Sequence, residues 1–244
     1  SKAWRQQDVG KVVSLDDIHP SLFGFQKDIV RWSVRKGRAA IFATTGTGKT
    51  RIQCEWARLI SQRALIVCPL AVAQQTIDEG KRIGIEVTWC DRPQPGKGIW
   101  ITNYQKLHHF VDTDYDSIIL DESGILKHFE AATRNLLITH FTHIPYRLCC
   151  TATPSPNDIS ELGNHAEFLG VLKRPEMLAH FFVHDSKGTA SVGGWRLKGH
   201  ARSDFWRTAS PFPGGHGPGF GGWPRGRCSR SRCPGGSLRR RPGR

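Results

Sequence analysis

Short apolar runs alternate along the chain with stretches in which apolar residues recur at helical spacing. The uninterrupted runs predict buried strands at 39–42, 64–69, 85–89, 99–102, 117–120 and 146–150. Helical spacing predicts a helix that ends at Gly37, helices at 49–60, 70–83 and 124–138, and a short one that starts at Asn103. Strands that are apolar on both faces and alternate with helices indicate an α/β fold, with a parallel sheet and helices on both faces.

The segment that joins the first strand to the next helix, 43–50, reads ATTGTGKT. Its two glycines permit backbone angles that turn several N–H groups inward, and the helix N-terminus adds partial positive charge. A strand–loop–helix unit ending in Gly-Lys-Thr is typical of a phosphate cradle, with Ala43 here in place of the usual first glycine. Lys49 is expected to reach the β- and γ-phosphates, and the Thr50 hydroxyl to bind Mg²⁺. A glycine-rich surface turn is the alternative, and the flanking strand and helix argue against it. The residues predicted to hold the nucleotide are Thr45, Gly46, Thr47, Gly48, Lys49 and Thr50.

Two adjacent carboxylates, Asp121 and Glu122, follow the apolar run 117–120. Acidic residues are also favoured at a helix N-terminus, and for the pair alone the two explanations weigh about equally. Together with the phosphate loop, the pair favours phosphoryl transfer, which needs positioning and charge neutralisation. Asp121 would then hold Mg²⁺ and Glu122 would orient the attacking water.

Two further candidates depend on their position in the chain. Gln26 lies in the helix that precedes the first strand, and a glutamine amide both donates to and accepts from the edge of adenine. Taken alone, Gln26 fits an ordinary surface residue. The strand at 146–150 is followed by Thr151, Ala152 and Thr153. The hydroxyls of the two threonines would sense the γ-phosphate and relay its state. A plain turn is the alternative for these three residues.

The formal net charge of +14 suggests a nucleic-acid partner until its distribution is considered. Eight of the 35 lysines and arginines lie after Thr208, where none of the 21 acidic residues falls. The rest of the chain is mildly basic, which is compatible with a phosphate-backbone partner without being diagnostic.

The seven cysteines include no C-x-x-C pair, and three of them, Cys68, Cys149 and Cys150, fall in predicted strands. This usage indicates reduced thiols and a cytoplasmic protein, while Cys228 and Cys233 alone are a poor zinc site. No apolar run approaches the roughly 20 residues that span a bilayer, and the N-terminus lacks a signal-peptide pattern. No membrane partner is therefore expected.

The order of the motifs is specific: Gln26, then ATTGTGKT, LIVCP, ITNY, ILDES and TATP. This order resembles the first RecA-like lobe of superfamily-two helicases, especially the Swi/Snf-type DNA-dependent ATPases of phage and prophage genomes. The resemblance covers roughly residues 20–208 and implies a RecA-like P-loop fold, ATP and Mg²⁺ as cofactors, and a bacterial or phage-infected host cell.

Within the resemblance, Gln26 matches the glutamine that reads adenine, and Lys49, Thr50, Asp121 and Glu122 match the ATP and Mg²⁺ site. The motif at 151–153 matches the one that couples hydrolysis to movement. The segments that run along a nucleic-acid strand, DNA more than RNA, are matched by Pro69, Thr102, Asn103 and Tyr104. Residues 157–172 resemble the helix that follows TATP.

Three regions are expected. Residues 1–172 form the ATP-binding lobe, and 173–208 lead towards a second lobe that the chain lacks. Residues 209–244 form a basic tail in which Gly, Pro and Arg supply 24 of 36 positions. Such a composition predicts disorder, and it suits either a tail that grips phosphates or coding sequence read out of frame.

The leading interpretation is the motor lobe of a DNA-dependent ATPase, truncated before a second lobe that would supply an arginine finger. An arginine finger is worth about 10³ to 10⁵ in rate, so the chain alone is expected to bind ATP weakly and hydrolyse it slowly. A second helicase lobe or a partner subunit would complete it. The alternatives are the motor lobe of a restriction system and a non-catalytic nucleic-acid-binding fragment.

Overall fold

The computed structural model describes residues 8–123, 131–152, 162–184 and 195–201. The first half of the chain forms α1 (Gly24–Lys36), β1 (Arg38–Phe42), α2 (Lys49–Ile60), β2 (Arg63–Cys68), α3 (Leu70–Arg82) and β3 (Val87–Trp89). It continues with β4 (Gly98–Asn103), a 3₁₀ helix at Tyr104–Phe110, β5 (Ser117–Asp121), α4 (Ala131–His140) and β6 (Tyr146–Thr151). The last described elements are α5 (Leu162–Phe168), α6 (Arg174–Phe181), β7 (Phe182–His184) and β8 (Trp195–Leu197).

Within these residues, β1 to β6 form one sheet in the order β1-β6-β5-β2-β4-β3. Every neighbouring pair in this sheet is parallel. The chain therefore visits the sheet out of order, and the late strand β6 lies between β1 and β5. All six carboxyl ends consequently meet at one edge, where ligands bind in open α/β sheets.

Each face of the sheet is covered by a separate apolar cluster. One cluster contains Ile29 of α1, Trp56 of α2 and Ala73 of α3. The other contains Phe110 of the 3₁₀ helix, Leu137 of α4 and Phe168 of α5. Successive residues of a strand point to opposite faces, so the buried part of β2, from Ala64 to Cys68, is apolar at every position. The predicted α/β fold with helices on both faces is confirmed.

Most predicted boundaries agree with the structure to within two residues, and the differences have local causes. Strand β3 begins at Val87 because the Ile85 N–H donates to the Gly80 carbonyl and belongs to the end of α3. The short helix predicted after Asn103 is a 3₁₀ helix. The predicted helix 124–138 is present from Ala131 and runs on to His140, and residues 124–130 lie outside the described residues.

The region 173–208 contains elements that the sequence pattern did not predict. Helix α6 packs with the antiparallel pair β7–β8 in a small third cluster that includes Leu178 and Phe182. Of the predicted helix 157–172, residues from Leu162 to Phe168 form α5, and residues 157–161 are not described. Residue Thr153 and the tail from Ala209 also lie outside the described residues.

The five cysteines in the described residues are free and buried: Cys54, Cys68, Cys90, Cys149 and Cys150. Among the described residues, no helix is both long enough and apolar enough to cross a bilayer.

Ile66 is at the centre of β2 and has 0% exposure. Replacing Ile66 by Ala removes buried methyl groups and leaves a cavity, which is expected to lower the free energy of unfolding by about 2–5 kcal/mol. Urea denaturation followed by circular dichroism measures this loss. Val12, which is 87% exposed, supplies the control, and Val12→Ala is expected to change stability by less than about 0.5 kcal/mol. Similar losses for the two variants would contradict the position given to β2.

Candidate nucleotide site

The loop between β1 and α2 adopts the left-handed backbone conformation at two glycines. Gly46 has φ 82° and Gly48 has φ 79°, and Gly48 immediately precedes the first turn of α2. The Thr47 hydroxyl donates to the Thr44 carbonyl at 2.8 Å, which closes the loop on itself. The result is a tight turn at a helix N-terminus, where backbone N–H groups and partial positive charge favour an anion.

Lys49 is the first residue of α2 and is buried. Its Nζ donates to the carbonyl oxygens of Ala43 and Thr44, at 2.9 and 3.2 Å. The ammonium group therefore lies inside the loop, bound to neutral acceptors. A phosphate is a stronger acceptor for a charged donor than a carbonyl group is.

The acidic pair lies at the carboxyl end of β5. Asp121 is buried, and its Oδ1 accepts hydrogen bonds from Gln53 Nε2 at 2.7 Å and from the Glu122 N–H at 3.0 Å. Burial raises the pKa of the Asp121 carboxyl, and the hydrogen bond from Gln53 opposes that rise. Glu122 has φ 49°, an unusual conformation for a non-glycine residue, and strained backbone of this kind clusters at functional sites.

Thr151, at the end of β6, connects the phosphate loop to the acidic pair. Its carbonyl accepts from the Ala43 N–H at 3.2 Å, and its hydroxyl donates to Glu122 Oε2 at 3.4 Å. These contacts follow from sheet order, because β6 lies between β1 and β5. Ala152 follows at the same edge and is half-buried, whereas Thr153 is not described.

Gln26 lies against the phosphate loop. It is buried, its Nε2 donates to the Thr47 carbonyl at 2.9 Å, and its Oε1 accepts from the Phe23 N–H at 2.9 Å. Both ends of the amide are therefore bonded to the protein, and the side chain ties the start of α1 to the loop. The reading of adenine by Gln26 stays a prediction.

The four residues predicted to contact nucleic acid lie at or just after the carboxyl ends of two neighbouring strands, β2 and β4. Pro69 is half-buried at the start of α3, whereas Thr102, Asn103 and Tyr104 are buried. Asn103 Oδ1 accepts from the Lys106 N–H, and the Tyr104 hydroxyl donates to the Asp121 carbonyl at 2.8 Å. The side chains of Asn103 and Tyr104 therefore bond to backbone groups at the edge of the sheet.

Sequence reasoning missed Gln53 and Ser123, and it missed the contact that Tyr104 makes with Asp121. Gln53 and Tyr104 bond to Asp121, and Ser123 Oγ lies 3.1 Å from His165 Nε2 of α5. A signal for Gln53 was present, because it is a polar residue on the otherwise apolar face of α2 that carries Ile52, Trp56 and Ile60. The contacts of Ser123 and Tyr104 join distant parts of the chain and leave no local pattern.

The side chains at this edge fit a magnesium nucleotide. Mg²⁺ prefers oxygen ligands, commonly one or two carboxylates together with phosphates and water. The Thr50 hydroxyl and the Asp121 carboxylate are such donors, and helix α2, which begins with Lys49 and Thr50, is hydrogen-bonded to Asp121 through Gln53. The loop of Gly46 and Gly48 supplies the matching phosphate cradle.

Gly48 tests how the cradle is built. A Cβ there would lie 2.3 Å from Gln26 Nε2, whereas one at Gly46, which has a similar φ, would meet nothing within 4 Å. Both Gly→Ala changes carry a backbone cost of about 1–2 kcal/mol. Gly48→Ala must also displace the buried Gln26 amide, so it is expected to lose about 1–3 kcal/mol more. Thermal and urea denaturation of the two variants measure the difference, and equal losses would show that Gln26 does not pack on the loop.

A phosphate cradle at the tip of one parallel strand, with an acidic pair on the next strand but one, defines a nucleotide-binding lobe of the P-loop class. The sequence from 21 to 156, more than half of the chain, matches the family described as type III restriction enzyme, res subunit. The chain belongs to that family.

Solved structures agree on the fold. The SWI2/SNF2 ATPase core of Sulfolobus solfataricus, a structure in complex with dsDNA, has a TM-score of 0.64 at 18% identity. That match covers 83% of this chain and 46% of the other, so this chain spans less than half the length of that core. The UvsW helicase from bacteriophage T4 has a TM-score of 0.48 at 14% identity, with 62% and 58% covered, and is too distant to define a fold. A comparison with curated proteins found no match.

Family and fold together confirm a RecA-like, ATP-binding lobe of the superfamily-two helicase type.

Proposed function

We propose that this chain binds ATP with Mg²⁺ at the carboxyl edge of the sheet and serves as the motor lobe of a DNA-dependent ATPase. Lys49 binds the β- and γ-phosphates inside the loop of Thr45, Gly46, Thr47 and Gly48. Thr50 and Asp121 hold the metal, and Glu122 orients the attacking water.

The observation that carries this proposal is the convergence of three strand ends. The loop after β1 and the acidic pair at the end of β5 are both hydrogen-bonded to Thr151 of β6, through the Ala43 N–H and the Glu122 carboxylate. Those residues are far apart in sequence, and each matches one part of a phosphoryl-transfer site. A surface turn or an acidic helix cap would not explain why the three lie together.

Each group of the chain has a separate role in the proposed phosphoryl transfer. The loop N–H groups and Lys49 neutralise phosphate charge, and the Mg²⁺ that Thr50 and Asp121 would hold would supply further neutralisation of that charge. Glu122 supplies a carboxylate beside the metal ligand, held by its strained backbone and by Thr151. Thr151, Ala152 and Thr153 relay the state of the γ-phosphate to the rest of the motor.

The partners are proposals of the same kind. A nucleic acid, DNA more than RNA, is supported by the dsDNA in the complex of the Sulfolobus core, and the mildly basic charge of the chain before Ala209 is compatible with it. Its track would follow Pro69, Thr102, Asn103 and Tyr104, where the backbone at the ends of β2 and β4 reaches the sheet edge.

A second helicase lobe or a partner subunit would complete the motor. The setting of the motor would be the cytoplasm of a bacterial or phage-infected cell. The proposed regions remain 1–172, 173–208 and 209–244.

A second candidate function is the motor of a restriction system, which the name of the matching family favours. The phosphate loop and the acidic pair would do the same work in either case. A nuclease encoded beside this chain, and copurifying with it, would favour restriction over free translocation.

Equilibrium binding tests the proposal. A fluorescent ATP analogue is titrated into the chain with Mg²⁺ and with EDTA, and phosphate release is followed with and without duplex DNA. We expect weak, saturable binding that Mg²⁺ strengthens, and slow phosphate release even with DNA, because a second lobe or partner subunit would have to supply the arginine finger. Brisk DNA-stimulated release by this chain would contradict that expectation. Salt-sensitive DNA binding without nucleotide binding would instead support the nucleic-acid-binding fragment.

A further inference from the structure

Gln53 lies one helical turn after Lys49 and is fully buried. Residues four apart lie on the same face of a helix, so Gln53 shares the face of α2 that carries Lys49. Its amide points at the carboxylate of Asp121, at 2.7 Å. The amide orientation is fixed by chemistry, because an ionised carboxylate only accepts hydrogen bonds and the NH₂ group must face it.

The other end of the amide is the oxygen Oε1, and the packing around it does not explain why a polar atom is there. Gln53 Oε1 is buried and has no hydrogen-bond partner among the described residues. An unpaired buried acceptor is destabilising, because it has given up its hydrogen bonds to water. A leucine or methionine would fill the same space without that cost but would not donate to Asp121, so the unpaired Oε1 is the end of the amide that needs an explanation.

The backbone of Asp121 is held without Gln53. Strand β5 pairs with β6 up to Asp121, and the Tyr104 hydroxyl donates to the Asp121 carbonyl at 2.8 Å. Gln53 therefore acts on the carboxylate alone. Oδ1 takes both hydrogen bonds that the structure gives to this carboxylate, from Gln53 and from the Glu122 N–H.

We propose that Gln53 is a positioning residue for the magnesium nucleotide: its Nε2 holds Asp121 Oδ1, so that Oδ2 takes the metal, and its Oε1 accepts a hydrogen bond from a water molecule of the ion. Mg²⁺ keeps several of its waters in sites of this kind, and each carries donors that Oε1 lacks in the protein. This inference rests on the proposed function. It adds a residue on the phosphate-loop helix that senses the metal and touches no phosphate.

The test compares the nucleotide affinity of each variant in the presence and in the absence of Mg²⁺. Gln53→Met removes both hydrogen-bonding ends at nearly constant volume, and the dissociation constant of fluorescent ADP is measured with Mg²⁺ and with EDTA. Gln74→Met is the matched control, because Gln74 Nε2 also donates to a carboxylate, that of Asp78 at 3.0 Å, on the exposed surface of α3.

We expect Gln53→Met to reduce the strengthening by Mg²⁺ about tenfold, which corresponds to roughly 1.4 kcal/mol, and to leave affinity in EDTA within about twofold of wild type. Gln74→Met should leave both values unchanged. An unchanged Mg²⁺ effect in Gln53→Met would overturn the inference, and so would an equal loss with and without the metal, which marks a purely structural role.

A second measurement needs no variant. The side-chain amide signal of Gln53 in the ¹⁵N NMR spectrum should move when Mg²⁺ is added to the ADP complex, and ADP alone should move it less. A signal that is indifferent to Mg²⁺ would overturn the inference while leaving the proposed function intact. Failure of the wild-type chain to bind ADP at all would instead remove the proposed function.

Discussion

Replacing Lys49 by alanine is expected to weaken ATP binding by roughly ten- to a hundredfold, because hydrogen bonds to a charged group contribute about 1.5–3 kcal/mol each. The structure places the Lys49 ammonium inside the phosphate loop, on the carbonyls of Ala43 and Thr44. Phosphate oxygens would replace these neutral carbonyl oxygens as acceptors, and their negative charge would attract the ammonium group more strongly. Titration of a fluorescent ATP analogue in the presence of Mg²⁺ measures the loss.

The control for this change is Lys81→Ala, which removes an exposed lysine from α3. It is expected to leave ATP affinity unchanged. Circular dichroism and thermal melting establish that Lys49→Ala is folded, since Lys49 also bonds the loop. If Lys49→Ala binds ATP as tightly as wild type and DNA binding keeps its salt dependence, the motor function is wrong and the nucleic-acid-binding fragment is favoured.

The parts of the site that could be predicted from sequence are those with a local signal. Gly46 and Gly48 mark a turn that needs a left-handed backbone, and both have positive φ in the structure. Asp121 and Glu122 follow a run of apolar residues, and a buried strand has to end before consecutive charges. In each case the pattern lies within about ten residues of the chain, where spacing and backbone preference decide the conformation.

Sheet order could not be predicted in this way. The apolar run 146–150 predicts a strand but does not say that β6 inserts between β1 and β5. That insertion brings Thr151 into contact with Ala43 and Glu122. Strand neighbours depend on how helices cover both faces, which is a property of the whole fold.

Buried polar contacts are the other feature that could not be predicted from the sequence. Tyr104 was predicted to contact nucleic acid, and its hydroxyl is bonded to the Asp121 carbonyl in the interior. No function was predicted for Gln53, although a buried amide among apolar neighbours needs a hydrogen-bond partner. Both residues bond to Asp121 across the fold, so a single sequence cannot reveal the pairing. The short elements α6, β7 and β8 were missed because three-residue strands carry too little periodicity.

Replacing Glu122 by glutamine is expected to leave ATP affinity within about threefold of wild type and to reduce hydrolysis by roughly 10²- to 10⁴-fold, the usual contribution of a positioned general base. The substitution keeps the shape of the side chain and removes the charge to which the proposed function assigns the orientation of water. Binding should survive because the same proposal assigns the phosphates to Lys49 and the loop, and the metal to Thr50 and Asp121. Single-turnover hydrolysis of radiolabelled ATP, with the protein in excess and duplex DNA present, measures the rate.

Glu86 provides the matched control, because it is an exposed glutamate outside the site and Glu86→Gln makes the same chemical change there. Glu86→Gln should hydrolyse ATP at the wild-type rate. Loss of both binding and hydrolysis in Glu122→Gln would mean that the strained turn at φ 49° supports the phosphate loop, through Thr151, more than it serves chemistry. Turnover retained at the wild-type rate would remove Glu122 from its assigned role. The water would then have to be oriented by another group, and Thr151, whose hydroxyl lies at the same edge of the sheet, would be the first to substitute.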